Sequence, residues 1–356
     1  MICPHCWQSI IESDFSLSQS NHEDDCNLVC PSCAHDLPEN YLSASQHIIS
    51  IVAENFSGKS YFLSVHLKEL RDSLYYKYGC FLQRSNENTT HIESMIESVY
   101  GSECPLPKIA LDGPTYQHVL KFSQQVKTTK SHPKPFIYTL NRPGISQEHN
   151  LVYYHQAGEA YEPGNQDIGI ESPFASGIIF LFDPFHDVEF KREMAKYSDA
   201  SDPQYTFGFD HQFSVVLEQL NRGLLDAPRT SSKKVPIAFV VGKYDAWHGL
   251  ARSYFATPNY FTDPRGNKGL DDNAIENNSM KLRELLQNIT DGVCSQFDSL
   301  PGPVTYFPVS SFGKSSSLRD FGGFRHMSHP VPVKPFLVDV PMLWLIHKFV
   351  PELVSV

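Results

Sequence analysis

Two clusters of residues have types and spacing that could do chemistry unaided. The first is Ala53-Glu-Asn-Phe-Ser57-Gly58-Lys59-Ser60, followed by Tyr61. Gly58 suits a tight turn, and backbone N–H groups of the loop and of a following helix can point at phosphate oxygens. The helix dipole favours negative charge at the same place. Lys59 can reach the β- and γ-phosphates, and the Ser60 hydroxyl can bind Mg²⁺. Ala53 stands where the phosphate-loop pattern has glycine, and Ser57 and Tyr61 flank the contact residues. The bland alternative is a chance Gly-Lys-Ser at a helix start. The second cluster is Cys3-Pro-His-Cys6 with Cys30-Pro-Ser-Cys33. Four thiolates in two such turns can close a tetrahedral Zn²⁺ site. Cys26, His5, His22 and His35 are alternative ligands, and a redox pair or unpaired thiols are the other readings of these cysteines.

These residues need a scaffold. An apolar run (Ile48, Ile49, Ile51, Val52) predicts a strand entering the phosphate loop. Apolar residues at Phe62, Leu63, Val65, Leu67 and Leu70 predict a helix leaving it, to about Leu74. Further strands are predicted at 135–140, 151–155, 177–182, 235–241 and 304–309. Helices are predicted near 91–100, 116–125, 213–224, 274–294 and 341–349. Thr128 and Thr129 fall just before a strand, and 321–335 reads as a loop. Alternating strands and helices predict an α/β doubly wound sheet with most strands parallel. Residues 1–42 form a separate unit, too small and polar to fold on its own core, so that metal would supply folding energy. Residues 43–356 form the larger domain, with insertions at 75–134 and 246–302. That domain is expected to survive removal of residues 1–42.

The chain has 356 residues, 41% hydrophobic and 19% charged, which describes a globular protein with a sizeable core. Its 29 basic and 40 acidic residues give a net charge of −11. That balance argues against broad contact with nucleic acid or an anionic membrane. The first residues show no basic-then-apolar signal region, and no apolar run is long enough for a bilayer. A cytoplasmic protein is expected. Of eight cysteines, five lie in the first 33 residues, which in a reducing compartment favours metal over disulfides.

The polar residues after the predicted strands come in a fixed order. They are Ala53 to Ser60, His155-Gln-Ala-Gly158, Gly242-Lys243-Tyr244-Asp245, and Ser310-Ser311-Phe312. Each lies at the C-terminal end of a strand, the edge where open α/β sheets bind ligands. Together they resemble the first, third, fourth and fifth motifs of Ras-like, TRAFAC-class GTPases. The sequence Gly-Lys-Ser, Ala-Gly-Glu, Phe-x-x-Asp-Pro, Gly-Lys-Tyr-Asp, Val-Ser-Ser-Phe-Gly is closest to the bacterial "double-GTPase" family. The resemblance implies a P-loop NTPase fold of three layers with insertions, plus the small zinc ribbon. It implies guanine nucleotide as ligand, Mg²⁺ and Zn²⁺ as cofactors, and a protein partner (a second GTPase or an effector).

By that resemblance the Asp245 carboxylate accepts from guanine N1–H and the exocyclic amine, donors that adenine lacks. The stem of Lys243 covers the base, and the N–H of Ser311 or Phe312 meets the guanine carbonyl. The Gly158 N–H contacts the γ-phosphate, in a segment able to switch after hydrolysis. Thr128 becomes a candidate Mg²⁺ ligand. Two positions depart from the family. His155 replaces an aspartate that holds Mg²⁺ through water, and Glu159 stands where fast members have a water-orienting glutamine. Both imply slow or partner-dependent hydrolysis by a GTP-binding switch. The alternative is a non-hydrolysing adaptor that holds nucleotide structurally and recruits a partner through the ribbon. A third reading, an ATPase using Asp183 as its metal-binding acid, is opposed by Asp245; Asp183 before Pro184 reads better as a turn residue.

Overall fold

Apolar strands buried on both faces organise the structure. Residues Gly177–Phe182 are buried without exception, as are Ile237–Val241. Runs of this kind belong to parallel strands covered by helices on both sides. The computed structural model describes residues 1–11, 16–19, 26–54, 57–86, 88–101, 115–122, 126–155, 172–197, 213–225, 234–262, 269–314, 317–321, 324–328 and 332–354. For residues 16–19, 26, 27, 155 and 291, and for the strands within 115–133 and 317–328, the backbone alone is described.

In chain order the strands begin with β1 (Ser16–Gln19), β2 (Cys26–Val29) and β3 (Asp36–Leu37), a small antiparallel sheet. Then come β4 (Ser45–Ala53), β5 (Phe81–Arg84), β6 (Thr115–Phe122), β7 (Val126–Pro133), β8 (Phe136–Asn141), β9 (His149–His155), β10 (Gly177–Phe182), β11 (Ile237–Val241), β12 (Val304–Pro308), β13 (Ser317–Phe321) and β14 (Phe324–Ser328). The helices are α1 (Lys59–Tyr78), α2 (Thr89–Gly101), α3 (Val188–Met194), α4 (Phe213–Leu225), α5 (Tyr244–Ala251), α6 (Asp272–Ile289), α7 (Asp291–Asp298), α8 (Val340–Phe349) and α9 (Pro351–Val354). The main sheet has seven strands in the order β12-β11-β10-β4-β9-β8-β5. Strands β12, β11, β10, β4 and β9 run parallel, and β8 is antiparallel to both of its neighbours.

Side chains alternate between the two faces, as the pleat requires. Ile49, Ile51, Ile179, Leu181, Ala238 and Val240 pack with α1, α2 and α8 on one side. Val52, Ile178, Phe180, Phe182, Ile237 and Phe239 pack with α3 to α7 on the other. The chain therefore leaves β4 through α1 on one face, and leaves β10 through α3 and α4 on the opposite face. Such a reversal opens a crevice at the C-terminal strand ends, the usual ligand position in sheets of this kind.

Three expectations are corrected. Residues 116–125 are not a helix: Thr115–Phe122 pairs as a hairpin with Val126–Pro133. Residues 321–335 are not simply a loop, because Ser317–Phe321 pairs with Phe324–Ser328, Phe321 opposite Phe324. A Gly-Gly dipeptide between two strand-like runs is a recognised hairpin signal and was the clue there. The long helix at 274–294 is two helices broken at Thr290, whose non-helical backbone (φ −125°, ψ 77°) ends α6 and begins α7.

Residues 1–42 do not stand apart from the large sheet. Trp7 and Ile2 cover the face formed by Ile48, Ile137, Val152 and Tyr154, where helices leave the sheet open. Trp7 Nε1–H donates to the Tyr154 hydroxyl at 3.2 Å, and that hydroxyl donates to the Pro4 carbonyl. Asn40 donates to Glu148 at 2.8 Å. This packing bears directly on whether residues 1–42 can be removed. Trp7→Ala should cost about 3 kcal/mol, in the range of buried tryptophan truncations. Deleting residues 1–42 should lower the midpoint of thermal unfolding far more than a surface deletion. An unchanged midpoint for either protein would show that the sheet face needs no cover.

Candidate functional site

Register brings the strand ends to one edge. Ala53 lies opposite Leu181, Phe182 opposite Val241, and Val241 opposite Pro308. His155, the last residue of β9, pairs with Ile51. Beyond the strands the ladder continues, with Gly242 N–H to the Phe182 carbonyl and Val309 N–H to the Val241 carbonyl, both at 2.9 Å. The segments that begin at Glu54, Asp183, Gly242 and Ser310 therefore emerge side by side.

At β4, Ala53 is fully buried and the chain turns through Gly58, whose φ of +82° is left-handed. A Cβ at Gly58 would meet nothing within 4 Å, so the turn faces open space. Helix α1 begins at Lys59 with no side-chain cap and no acidic residue in its first turn. Its positive end is thus left for an anion. Lys59 is 7% exposed, and among the described residues nothing hydrogen-bonds the buried Ser57 hydroxyl. Ser60 is the second residue of α1, and its carbonyl accepts from Ser64 Oγ at 2.9 Å. Tyr61 meets Phe312 edge to face, ring centroids 5.2 Å apart, which ties the start of α1 to the segment after β12.

At β11, Lys243 adopts a left-handed backbone (φ 56°) at the start of α5. A non-glycine residue there carries a cost of about 1 kcal/mol, and such residues gather at functional sites. Asp245 accepts a 2.5 Å hydrogen bond from Ser310 Oγ, and Gly313 N–H donates to the same Oγ at 2.8 Å. Ser310 also exchanges both backbone bonds with Phe336, at 3.0 and 2.8 Å. Gly313 has φ +70°, and a Cβ there would lie 1.8 Å from the Lys334 carbonyl, so this position takes glycine alone. A cavity of about 300 Å³ opens beside Asp245, lined by Tyr244, Arg252, Ser310, Gly313 and Phe336 among others. Tyr244 stacks on Phe336 at 4.8 Å, and burial raises its pKa. Trp247 is core: it is buried and donates to the Gly242 carbonyl at 2.8 Å.

No protein-family model matches the chain, and no curated protein matches it. Among solved structures it is similar to the crystal structure of the S. cerevisiae Ski7 GTPase-like domain, bound to GTP. The identity is 12%, the TM-score 0.32, and the match covers 75% of this chain and 43% of that one. A likeness so slight carries no function across.

The remaining sequence candidates separate. Gly158 and Glu159 lie outside the described residues, as does the side chain of His155. Thr128 sits within the hairpin strand β7, paired with Leu120, rather than in a loop. Asp183 is a turn residue: Oδ1 accepts from Phe185 N–H at 3.0 Å. It also has a second role, because its Oδ2 is 2.6 Å from Lys243 Nζ. Sequence reasoning missed Glu54 and His186, both buried beside it.

The cysteines do converge. The sulfurs of Cys3, Cys6, Cys30 and Cys33 all lie within 4.8 Å of one another. Cys3–Cys33 and Cys6–Cys30 are 3.8 and 4.0 Å apart. A zinc–sulfur bond of 2.3 Å in a tetrahedron sets sulfurs about 3.8 Å apart, so the cage fits the ion. The two turns repeat each other. Trp7 and Ala34 are both left-handed (φ 52° and 58°) and donate to the Cys3 and Cys30 carbonyls at 2.9 Å. His5 N–H reaches Cys3 Sγ at 3.4 Å. The imidazoles of His5 and His35 instead reach the carbonyls of Asp36 and Cys33, at 3.2 and 3.0 Å. Purified protein should carry about one Zn²⁺ per chain, and Cys3→Ser with Cys30→Ser should lose it. Full zinc content in that double variant would rule the cage out.

One buried histidine gives the fold a pH dependence. His66 in α1 is completely buried and donates from Nδ1 to the Val338 carbonyl at 2.7 Å. Burial pushes its pKa down to about 4, against a smaller upward effect of that hydrogen bond. Unfolded chain binds more protons between that value and the ordinary histidine value near 6.5, so stability rises with pH across this window and is lost as pH falls through it. Unfolding free energy from urea titrations should drop by about 2 kcal/mol from about pH 7.5 to about pH 5, and His66→Gln should flatten the difference. The same drop in that variant would assign it to other groups.

Proposed function

We propose that this chain is a guanine-nucleotide-binding switch of the Ras-like P-loop type, with slow or partner-dependent GTP hydrolysis. The observation that carries the reading is the Ser310–Asp245 hydrogen bond at the strand edge that also bears the phosphate loop. It fixes a carboxylate on the strand edge that also carries Gly58 and the start of α1, which supports reading Asp245 as the group that meets the base. In this reading Lys59 meets the β- and γ-phosphates, Ser60 would hold Mg²⁺, Asp245 reads the guanine edge, and Ser311 or Phe312 donates to its carbonyl oxygen. Gly158 would contact the γ-phosphate. Residues 1–42 form a zinc ribbon held by Cys3, Cys6, Cys30 and Cys33, and residues 43–356 form the GTPase-like domain. No described helix is long and apolar enough to cross a membrane. We take the protein to act in the cytoplasm, where its thiols stay reduced.

Hydrolysis turns on the third motif. Phosphoryl transfer depends on positioning and electrostatics, and a group supplied in trans can restore about 10³–10⁵-fold. With His155 and Glu159 at the third motif, the isolated chain should turn over slowly. The test is phosphate release from GTP by the purified protein, wild type and His155→Asp. Slow release that His155→Asp keeps or raises supports the reading. Fast release by wild type, abolished by His155→Asp, would make His155 itself catalytic and overturn it. No release by either protein, with GTP bound, would favour the non-hydrolysing adaptor.

A further inference from the structure

A chain of polar side chains runs from the phosphate loop to the base motif through Asp183 and His186, which lie in neither. Glu54 follows Ala53 at the start of the loop and is 3% exposed. Its Oε2 lies 3.3 Å from His186 Nδ1. His186 Nε2 lies 3.7 Å from Asp183 Oδ2. That oxygen in turn lies 2.6 Å from Lys243 Nζ, which also sits 4.7 Å above the ring of Phe185. Asp183 and His186 are 1% and 6% exposed. Carboxylates this buried are costly unless each has a partner. Here the four residues come from three strand ends, after β4, β10 and β11, so the contacts fix three segments relative to one another.

We propose that Asp183 and His186 are positioning residues of the nucleotide site. Asp183 anchors Lys243, whose strained backbone and flexible side chain would otherwise sample many orientations. His186 extends the anchor to Glu54 and so ties the base motif to the phosphate loop. None of the three need touch the nucleotide. The inference rests on the reading of Lys243 as the residue that covers the base. It adds that the cover is set by Asp183 and His186, on the segment after β10 rather than in the base motif itself. Lys59 and the α1 N-terminus then meet the phosphates of a base already held at a defined distance.

The test is a double-mutant cycle on GDP affinity. Asp183→Asn retains an oxygen to accept from Phe185 N–H, so the turn survives, but it drops the charge that holds Lys243. Asp183→Asn should weaken GDP about tenfold, as loss of the close ion pair that holds Lys243 would. Lys243→Met should weaken it by a similar factor. The two together should be no weaker than Lys243→Met alone, because the anchor then has nothing to hold. GMP and GDP should be weakened equally by Asp183→Asn, whereas Glu54→Gln, at the loop end, should weaken GDP more than GMP. Losses that multiply in the double variant, or GDP affinity unchanged in Asp183→Asn, would overturn the proposal. A purely structural role would lower the unfolding midpoint and leave the affinity of the folded protein unmoved. If wild type binds no GDP, the nucleotide reading fails instead. The same cycle read by urea unfolding of ligand-free protein then decides the anchor alone: non-additive losses uphold the Asp183–Lys243 tie, and additive losses reject it.

Discussion

Lys59→Ala should weaken GTP and GDP by about 100-fold or more, since hydrogen bonds to charged groups contribute about 1.5–3 kcal/mol each and this ammonium can make more than one. The residue is 7% exposed, at the start of a helix that has no acidic first turn and no side-chain cap. A phosphate there gains from the lysine, from the N–H groups and from the dipole together. The variant should remain folded, because the core beneath α1 is built from Phe62, Leu63, Val65, Leu67 and Leu70 and does not involve the ammonium group. Fluorescent GDP titrated against Lys59→Ala checks this. Affinity within a few-fold of wild type would remove the phosphate loop from the account.

The second large effect concerns Asp245. Asp245→Asn changes a pair of acceptors into one acceptor and one donor, and the donor then opposes the donors of guanine. GTP affinity should fall by about 2–4 kcal/mol, the cost of losing a buried charged hydrogen bond and leaving a partner unpaired. Xanthine nucleotide, which presents an acceptor at that edge, should bind in its place. Ser310 Oγ can still donate to the asparagine oxygen, so the local structure should hold. Competition of GDP and XDP against a fluorescent nucleotide measures both changes. Equal GTP affinity in wild type and variant would place the base elsewhere, or nowhere on this chain.

The main sheet was legible in the sequence because its strands are buried on both faces. Gly177–Phe182 and Ile237–Val241 read as unbroken apolar runs, and each ends in polar residues that register then gathers at one edge. The hairpins were less legible for a physical reason. Thr115–Phe122 mixes polar and apolar residues irregularly, and the interior of Val126–Pro133 is polar throughout, so neither shows the period of a strand. The end of α6 was missed because Thr290 breaks a helix through its backbone, while the apolar periodicity carries on through Val293 and Cys294.

The candidate site divides in the same way. Lys59, Asp245 and the cysteines announce themselves by local spacing. The tie between Glu54 and His186 joins residues 132 apart, and the Trp7–Tyr154 contact joins residues 147 apart. No local pattern encodes either one. The fold alone creates them, and both change what the sequence implied: residues 1–42 cover part of the sheet, and Asp183 holds Lys243 as well as its own turn.

The central claim is that the strand edge from Gly58 to Asp245 binds a guanine nucleotide, and isothermal titration of the zinc-loaded wild-type protein tests it most directly. With Mg²⁺ present, GDP and GTP should each bind at about one site per chain, and ATP should bind at least about 100-fold more weakly, because adenine leaves a buried acceptor unpaired. Equal binding of ATP and GTP, or no heat from either nucleotide with the zinc site intact, would contradict the account.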